Sequence, residues 1–420
     1  MGSYEEPMHE ELHTRPFGPK SQPIPWRETP LIESEPLSRL AGCRIFLKLE
    51  NLQPGGSFKS RAMGNLILHH HSRPANQNKN LHFFIASGGN AGIASVTAAR
   101  SLGYQCTVTV PVYTKPMMLQ CLQAAGAITV THGDNIDTAA KYMRDVLMEQ
   151  TRGTFGDDGR EVVAIELHPF DHEAAWEGVS SMVDELAVQM PPEEGEGGRP
   201  FPVDGVVCSV GGGGLMNGIM LGIERQLRQA EERGVVNPSR GKDVHILALE
   251  TKGAESLAKA VEKRTLVTLP GVSSLATSLA AMRVAERTLK NVLHPAKGMK
   301  AHSFVMDDAD AARGVLRLVD EHRLLVELAC GLCVEGAVAA GPSEGEKSNT
   351  NGGPVVGGAP SRLAQVIPGF GPESRVVIIV CGGSNITVEV AAEYRERLKM
   401  VGGREKEEGG RGQDAYAVEG

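Results

Sequence analysis

The stretch Gly55-Gly56-Ser57-Phe58-Lys59-Ser60-Arg61 sets one lysine in a tight glycine turn. It comes shortly after the alternating run Ile45-Phe46-Leu47-Lys48-Leu49, which reads as a strand. A lysine is a poor nucleophile while its ammonium is charged and hydrated. Held in a confined site, it loses that proton and can form a Schiff base with an aldehyde. Alone, the stretch also reads as a surface lysine after a turn. It is joined by two more glycine loops, Gly211 to Gly214 and Cys381-Gly382-Gly383-Ser384-Asn385, each closing a β-rich run.

Outward from the lysine, short apolar runs alternate with helical patterns. Leu81 to Ala86 reads as a buried strand and Ala91 to Leu102 as a helix of small residues. Cys106 to Val112 and Ala127 to Val130 read as strands, Pro116 to Ala125 and Ile136 to Glu149 as helices. After a polar break at Gly153 to Arg160 the pattern resumes, with strands at Val203 to Val210, His245 to Glu250 and Arg375 to Val380. Helices are expected at Leu215 to Arg228 and Ala309 to Glu321. Such alternation means βαβ units on parallel sheets. The expected fold is α/β: two doubly wound, mostly parallel-sheet domains with a ligand in the cleft between them. The expected domains are 26–52 with 156–400 as the larger and 53–155 as the smaller, flanked by a flexible segment 1–25 and a flexible tail 401–420. Three polar stretches, 191–200, 231–242 and 342–362, read as surface insertions.

Composition narrows the function. At 420 residues the chain can bury a large core. A formal net charge of -8, with no basic block, argues against a nucleic-acid surface. No apolar run approaches the roughly 20 residues a membrane span needs, and the N-terminus lacks the charged-then-apolar pattern of a secretory signal. Seven cysteines without framework spacing suggest reduced thiols. Cytoplasm is the expected location.

The loops carry the chemistry. Gly211 to Gly214 lie between a strand and a helix, where backbone N–H groups can approach an anion closely and the helix N-terminus adds positive potential. The loop lacks the lysine of a Walker motif and the spacing of GxGxxG, so a single phosphomonoester fits better than a dinucleotide. A plain glycine-rich connection is the other reading. Ser87-Gly88-Gly89-Asn90-Ala91-Gly92 also opens a helix and can hold a carboxylate, or Ser87 or Asn90 can simply cap it. Cys381 ends an apolar strand, where a thiol can face a ring nitrogen or merely pack. Taken together the loops fit one cofactor, pyridoxal phosphate.

Glu50 to Lys59, Ser87 to Gly92, Ser209 to Leu215 and Val380 to Ile386 resemble, in the right order, the motifs of the fold-type II pyridoxal phosphate enzymes, the tryptophan-synthase-β-like superfamily. Within it the chain is most similar to the L-serine/L-threonine dehydratases, over roughly Pro30 to Met400 apart from the insertions. The resemblance implies that Lys59 holds the cofactor as a Schiff base and takes the substrate's α-proton. It implies Phe58 on one face of the ring with Ser278 near the other. Gly211, Gly212, Gly213, Gly214 and Leu215 would bind the phosphate, and Asn90 the ring's 3'-oxygen. Ser87, Gly88, Asn90 and Ala91 would line the carboxylate site. Cys381 would face the pyridine nitrogen, where a neutral thiol does not favour protonation, and this points to β-elimination with the cofactor's phosphate as proton donor to the departing hydroxyl.

The segment Ala248 to Ser256 resembles the family's monovalent-cation loop, with Gly211, Glu250, Ala254 and Ser256 as implied ligands and potassium as the expected ion. The other reading of Glu250 is an ordinary strand-end carboxylate. Gly88 stands where many mammalian relatives have Ala or Ser, and Leu328 replaces a usual proline. The resemblance also implies a homodimer, and no isoleucine feedback, since no regulatory domain follows the catalytic motifs. The expected activity is L-serine to pyruvate and ammonia, with L-threonine to 2-oxobutanoate beside it. The rivals are a β-replacement synthase, a serine racemase and a non-catalytic amino-acid binder; Cys381 counts against the first two and the intact Lys59 against the third. Cys330-Gly331-Leu332-Cys333 reads as core packing, because a structural zinc needs a second pair. His69-His70-His71 reads as a solvated helix end, since consecutive helical residues diverge.

Overall fold

The buried apolar runs assemble into two sheets. A computed structural model describes residues 24–192, 199, 201–234, 243–338 and 361–410, with side chains to 399. The strands are β1 (Leu31–Glu33), β2 (Arg44–Lys48), β3 (Asn80–Ala86), β4 (Gln105–Val110) and β5 (Ile128–Thr131). They continue with β6 (Val162–Glu166), β7 (Gly205–Ser209), β8 (Val244–Thr251), β9 (Met299–Met306) and β10 (Arg375–Ile379). The first helices are α1 (Glu35–Ala41), α2 (Lys59–His71), α3 (Asn90–Ser101), α4 (Pro116–Ala125), α5 (Ile136–Tyr142) and α6 (Glu149–Thr151). Then come α7 (Glu173–Gln189), α8 (Gly214–Glu232), α9 (Ser256–Lys263) and α10 (Glu286–Leu293). The last are α11 (Asp308–Arg317), α12 (Leu328–Val338), α13 (Arg362–Val366) and α14 (Val388–Gly410).

The larger sheet has the order β1-β2-β10-β7-β8-β9, parallel except for β1 at its edge. The smaller runs β5-β4-β3-β6, all parallel. The centre of the larger sheet explains its sequence: all five residues of β10 are buried between β2 and β7, so both faces must be apolar. In both sheets the loops leaving the C-terminal ends of the strands are the glycine-rich ones, and there a parallel α/β sheet binds its ligands.

The lysine helix α2 is anchored by a buried ion cluster. Arg61 is fully buried and donates to both oxygens of Glu50 at 2.8 Å, and to Glu185 of α7 at 2.6 and 2.7 Å. Lys48 Nζ joins the same Glu185 at 2.5 Å. Burial alone would lower the Arg61 pKa, but Glu50 and Glu185 hold it above the ordinary range. Removing one member of such a cluster costs about 3–5 kcal/mol, because the others stay buried without a partner. Helical residues two positions apart lie roughly 200° apart around the axis, so Arg61 in the core turns Lys59 to the other side of α2.

Several expectations need correction. β6 pairs with β3 in the smaller sheet, so that body extends past the boundary expected at 155/156. The tail expected from 401 begins inside α14, which runs to Gly410. Of the segment 1–25 only its last two residues are described, and Pro25 is buried; a Cβ on Gly64 of α2 would sit 3.2 Å from its Cβ. Most of the three insertions lies outside the described residues. Their described ends are tied in: the Pro191 and Pro192 carbonyls accept from Arg375 at 2.6 and 3.0 Å, Glu231 and Glu232 finish α8, and Arg362 begins α13. The helix expected at Ile136 to Glu149 widens into a π-helical stretch at Met143–Met148.

Candidate active site

Lys59 is the first residue of α2, and its amine points to the loop after β6, where Nζ donates to the Pro169 carbonyl at 2.6 Å. Burial lowers its pKa from 10.5 to about 8, since removing water disfavours the ammonium. The ring centroid of Phe58 is 5.2 Å from Nζ. The preceding turn is clamped to the loop after β10. Ser57 bridges to Gly382, Phe58 N–H donates to the Cys381 carbonyl at 3.0 Å, and Gly383 N–H to the Gly56 carbonyl at 2.9 Å. A side chain at Gly382 would place its Cβ 2.2 Å from the Gly56 oxygen, so only glycine permits this contact.

The four glycines at 211–214 are enforced from outside. A Cβ would lie 2.3 Å from Phe170 Cδ2 at Gly212, 1.9 Å from Thr288 Oγ1 at Gly213 and 2.9 Å from the Phe170 carbonyl at Gly214. Gly213 has φ +94° and caps α8 without any side-chain hydrogen bond. The first N–H groups of a helix have no partner within it. Among the described residues the N-cap supplies no side chain to take them, so this N-terminus is suited to hold an anion. The cradle therefore fits a phosphate. Phe170 connects it to the lysine, because its loop also carries Pro169, the acceptor of Lys59.

At the smaller sheet, β3 leads through Ser87, Gly88 and Gly89 into α3, again capped by glycine without a side-chain bond. The N-cap Gly89 offers α3 no side-chain bond, while Ser87 Oγ accepts from the Gly89 N–H itself at 3.4 Å. Asn90 instead reaches the larger sheet: Oδ1 accepts from Ser384 N–H at 3.0 Å and Nδ2 donates to Glu327 at 3.0 Å. Ala91 is buried at the start of α3. Gly88 has room for little more than a methyl group, since a Cβ would meet Thr114 Cγ2 at 3.2 Å and Val110 Cγ1 at 3.5 Å.

Cys381 follows β10, buried, with its Sγ 3.0 Å from Cys330 Sγ and 3.9 Å from Ser209 Oγ. Cys330 and Cys333 are both fully buried in α12, in agreement with core packing, yet Cys330 also touches the site. Ser278 lies in a short 3-10 turn, Thr277–Leu279, and is exposed. That turn packs against Gly211, whose Cβ would be 3.1 Å from Leu279 Cα, and Thr277 accepts from Asn385. Glu250 is fully buried, its oxygens accepting from Leu257 and Ala258 N–H at 2.7 and 2.8 Å. Ser256 Oγ is buried without a partner, and the Ala254 carbonyl accepts from Ser256 N–H at 3.1 Å. Among the described residues no group of three His, Cys, Asp or Glu side chains could hold a metal.

A chain of contacts thus links Lys59, Phe58, Asn90, the glycine loop and Cys381. The family model for pyridoxal-phosphate dependent enzymes matches residues 24–356. The chain belongs to this family. It is 35% identical over 381 residues to an L-serine dehydratase of Saccharomyces cerevisiae, covering 89% of this chain and 98% of that one. A human serine dehydratase-like protein is 36% identical over 375 residues, 89% and 95% of the two chains. Among solved structures, a fungal L-serine ammonia-lyase from Rhizomucor miehei superposes with a TM-score of 0.68 at 25% identity, covering 89% and 99%. Sequence reasoning about this pyridoxal-phosphate enzyme missed the Pro169–Phe170 loop, Glu327 and the contact of Cys330. The available signal was positional, since Pro169 and Phe170 follow the C-terminal end of a parallel strand.

Proposed function

We propose that this chain is a pyridoxal phosphate-dependent L-serine dehydratase, a carbon–nitrogen lyase converting L-serine to pyruvate and ammonia, with L-threonine as a second substrate. The observation that carries the reading is Lys59, its amine at a pKa of about 8 and linked through the Pro169–Phe170 loop to the glycine cradle, in a chain 35% identical to a named L-serine dehydratase. Pyridoxal phosphate, when bound, draws electrons from the α-carbon of an amino acid joined to it. The remaining tasks fall to the chain. Gly211 to Leu215 hold the phosphate through backbone N–H groups. The start of α3, with Ser87, Gly88, Asn90 and Ala91, receives the substrate carboxylate. Lys59 accepts the α-proton, for which an amine with a pKa near the working pH is well matched. Phe58 and Ser278 flank the ring, and Cys381 faces its nitrogen with a thiol in place of a carboxylate.

A monovalent cation, K+ by expectation, belongs to the same proposal, with Gly211, Glu250, Ala254 and Ser256 as ligands. The buried Glu250 carboxylate and the partnerless Ser256 Oγ support it. A cytoplasmic homodimer is proposed from the family resemblance, and all seven cysteines are free thiols in keeping with a reducing compartment.

The test is pyruvate release from L-serine by the purified protein with pyridoxal phosphate and K+. Steady release without an added nucleophile is expected; a spectral change on serine without pyruvate overturns the reading in favour of a synthase. Lys59→Ala is expected to lower turnover by on the order of 10⁴-fold, the upper range for loss of an acid–base group. The rate of cofactor capture by the apoprotein should rise with pH through about 8, where Lys59 loses its proton, and level off above. A flat profile from pH 6 to 10 would show that the amine is not withdrawn from water.

A further inference from the structure

We propose that Glu327 is a positioning residue of the cofactor site, acting through Asn90; the inference rests on the pyridoxal phosphate reading above. Glu327 is almost fully buried immediately before α12, and its backbone carbonyl accepts from Cys330 N–H at 2.9 Å. One carboxylate oxygen, Oε1, accepts from Asn90 Nδ2 at 3.0 Å and from Asn385 N–H at 2.8 Å. It thereby ties the loop opening α3, on the smaller sheet, to the loop leaving β10, on the larger.

The consequence lies in what the Asn90 amide has left. Its oxygen accepts from Ser384 N–H at 3.0 Å, and one N–H is given to Glu327. Glu327 Oε1 already accepts the Asn385 N–H, so it meets Asn90 as an acceptor, fixes the nitrogen end of the amide and disfavours the flipped orientation. A single N–H then remains, oriented by two contacts from Ser384 and Glu327 on the side of the larger sheet. This is the donor that a ring oxygen of the cofactor requires. The room for Glu327 is also built in: a side chain at Gly383, φ +126°, would place its Cβ 2.2 Å from the Glu327 carboxyl carbon.

The test measures the equilibrium dissociation constant of pyridoxal phosphate, from the visible absorbance of the bound cofactor, for wild type, Asn90→Ala, Glu327→Ala, Glu327→Gln and the double variant Asn90→Ala/Glu327→Ala. Leaving the Asn90 amide without this partner predicts about 10- to 100-fold weaker binding for Glu327→Ala. Glu327→Gln, which keeps an acceptor, should recover to within a few-fold of wild type. The double variant should bind no worse than Asn90→Ala alone, because Glu327 acts through that residue. Wild-type affinity in Glu327→Ala, or effects of the two single variants that multiply, overturns the proposal. If Glu327→Ala does not fold, Glu327→Leu keeps the volume and answers the same question. Cofactor binding is read without serine, so a wild type that binds but releases no pyruvate refutes the dehydratase alone.

Discussion

β7 and β8 are neighbours in one sheet, and each is followed by a helix, yet the two helix N-termini are used in opposite ways. After β8 the start of α9 is filled by the chain's own carboxylate, Glu250, which accepts from Leu257 and Ala258 N–H. After β7 the start of α8 is left bare by four glycines, with no side chain in the capping role. The same device, backbone N–H groups at the positive end of a helix, satisfies the chain's own carboxyl group in one place and awaits an external anion in the other. The difference lies in the residue types: a glutamate closes the first end, and glycines keep the second open. The start of α3 on the smaller sheet sides with α8, since it too is glycine-capped without a side-chain bond.

The largest effect is expected where the open end is closed. Gly213→Ala adds a methyl group 1.9 Å from Thr288 Oγ1 at a residue with φ +94°, so both contact and backbone oppose it. The combined strain, about 3 kcal/mol, should weaken cofactor retention roughly 100-fold. Dialysis of the holoenzyme followed by absorbance reads this directly. Retention equal to wild type would mean that α8 is not the phosphate site, and the contrast with α9 would lose its meaning.

How far the sequence revealed this contrast depends on whether the signal was local. The glycines, Lys59 and Cys381 stand beside apolar strands, and their consequences could be read within a few residues. α4 was placed to the residue because Pro116 opens it and Gly126, φ +101°, ends it. By contrast α7 was missed, although it holds α2 in place. Its Gly178 has a reason only the structure gives: a Cβ there would lie 2.1 Å from the Arg61 carbonyl, where the helices cross. β6 was passed over because its membership of the smaller sheet is a long-range pairing with β3. Glu327 was illegible for the same reason, since its partner Asn90 lies in a distant part of the chain.

The closed end should show itself through pH. Burial raises the Glu250 pKa from 4.5 to about 8, although the Leu257 and Ala258 N–H groups pull the other way. Between those values the folded state holds a proton that the unfolded state has released, so stability falls as pH rises through that window. Without K+, the midpoint of thermal unfolding should drop on the order of 4 °C from pH 5 to pH 8. Glu250→Gln should flatten the slope, having no proton to lose. K+ at constant ionic strength should flatten it in wild type alone, by stabilising the ionised carboxylate. An equal response to K+ in both proteins would remove Glu250 from the cation site and leave it as a helix cap only.

The smallest effect is expected at the open end with room to spare. Gly89 caps α3 with φ -120°, an extended conformation available to any residue, and a Cβ there meets nothing within 4 Å. Gly89→Ala should therefore keep stability within about 0.5 kcal/mol of wild type and leave cofactor retention unchanged. It divides the two glycine-capped helices by role. If α8 alone holds the phosphate, an added methyl group at α3 can only crowd the substrate, and the KM for L-serine moves while the cofactor stays. If the cofactor is lost as in Gly213→Ala, both helix ends serve one anion, and the substrate carboxylate must be held elsewhere.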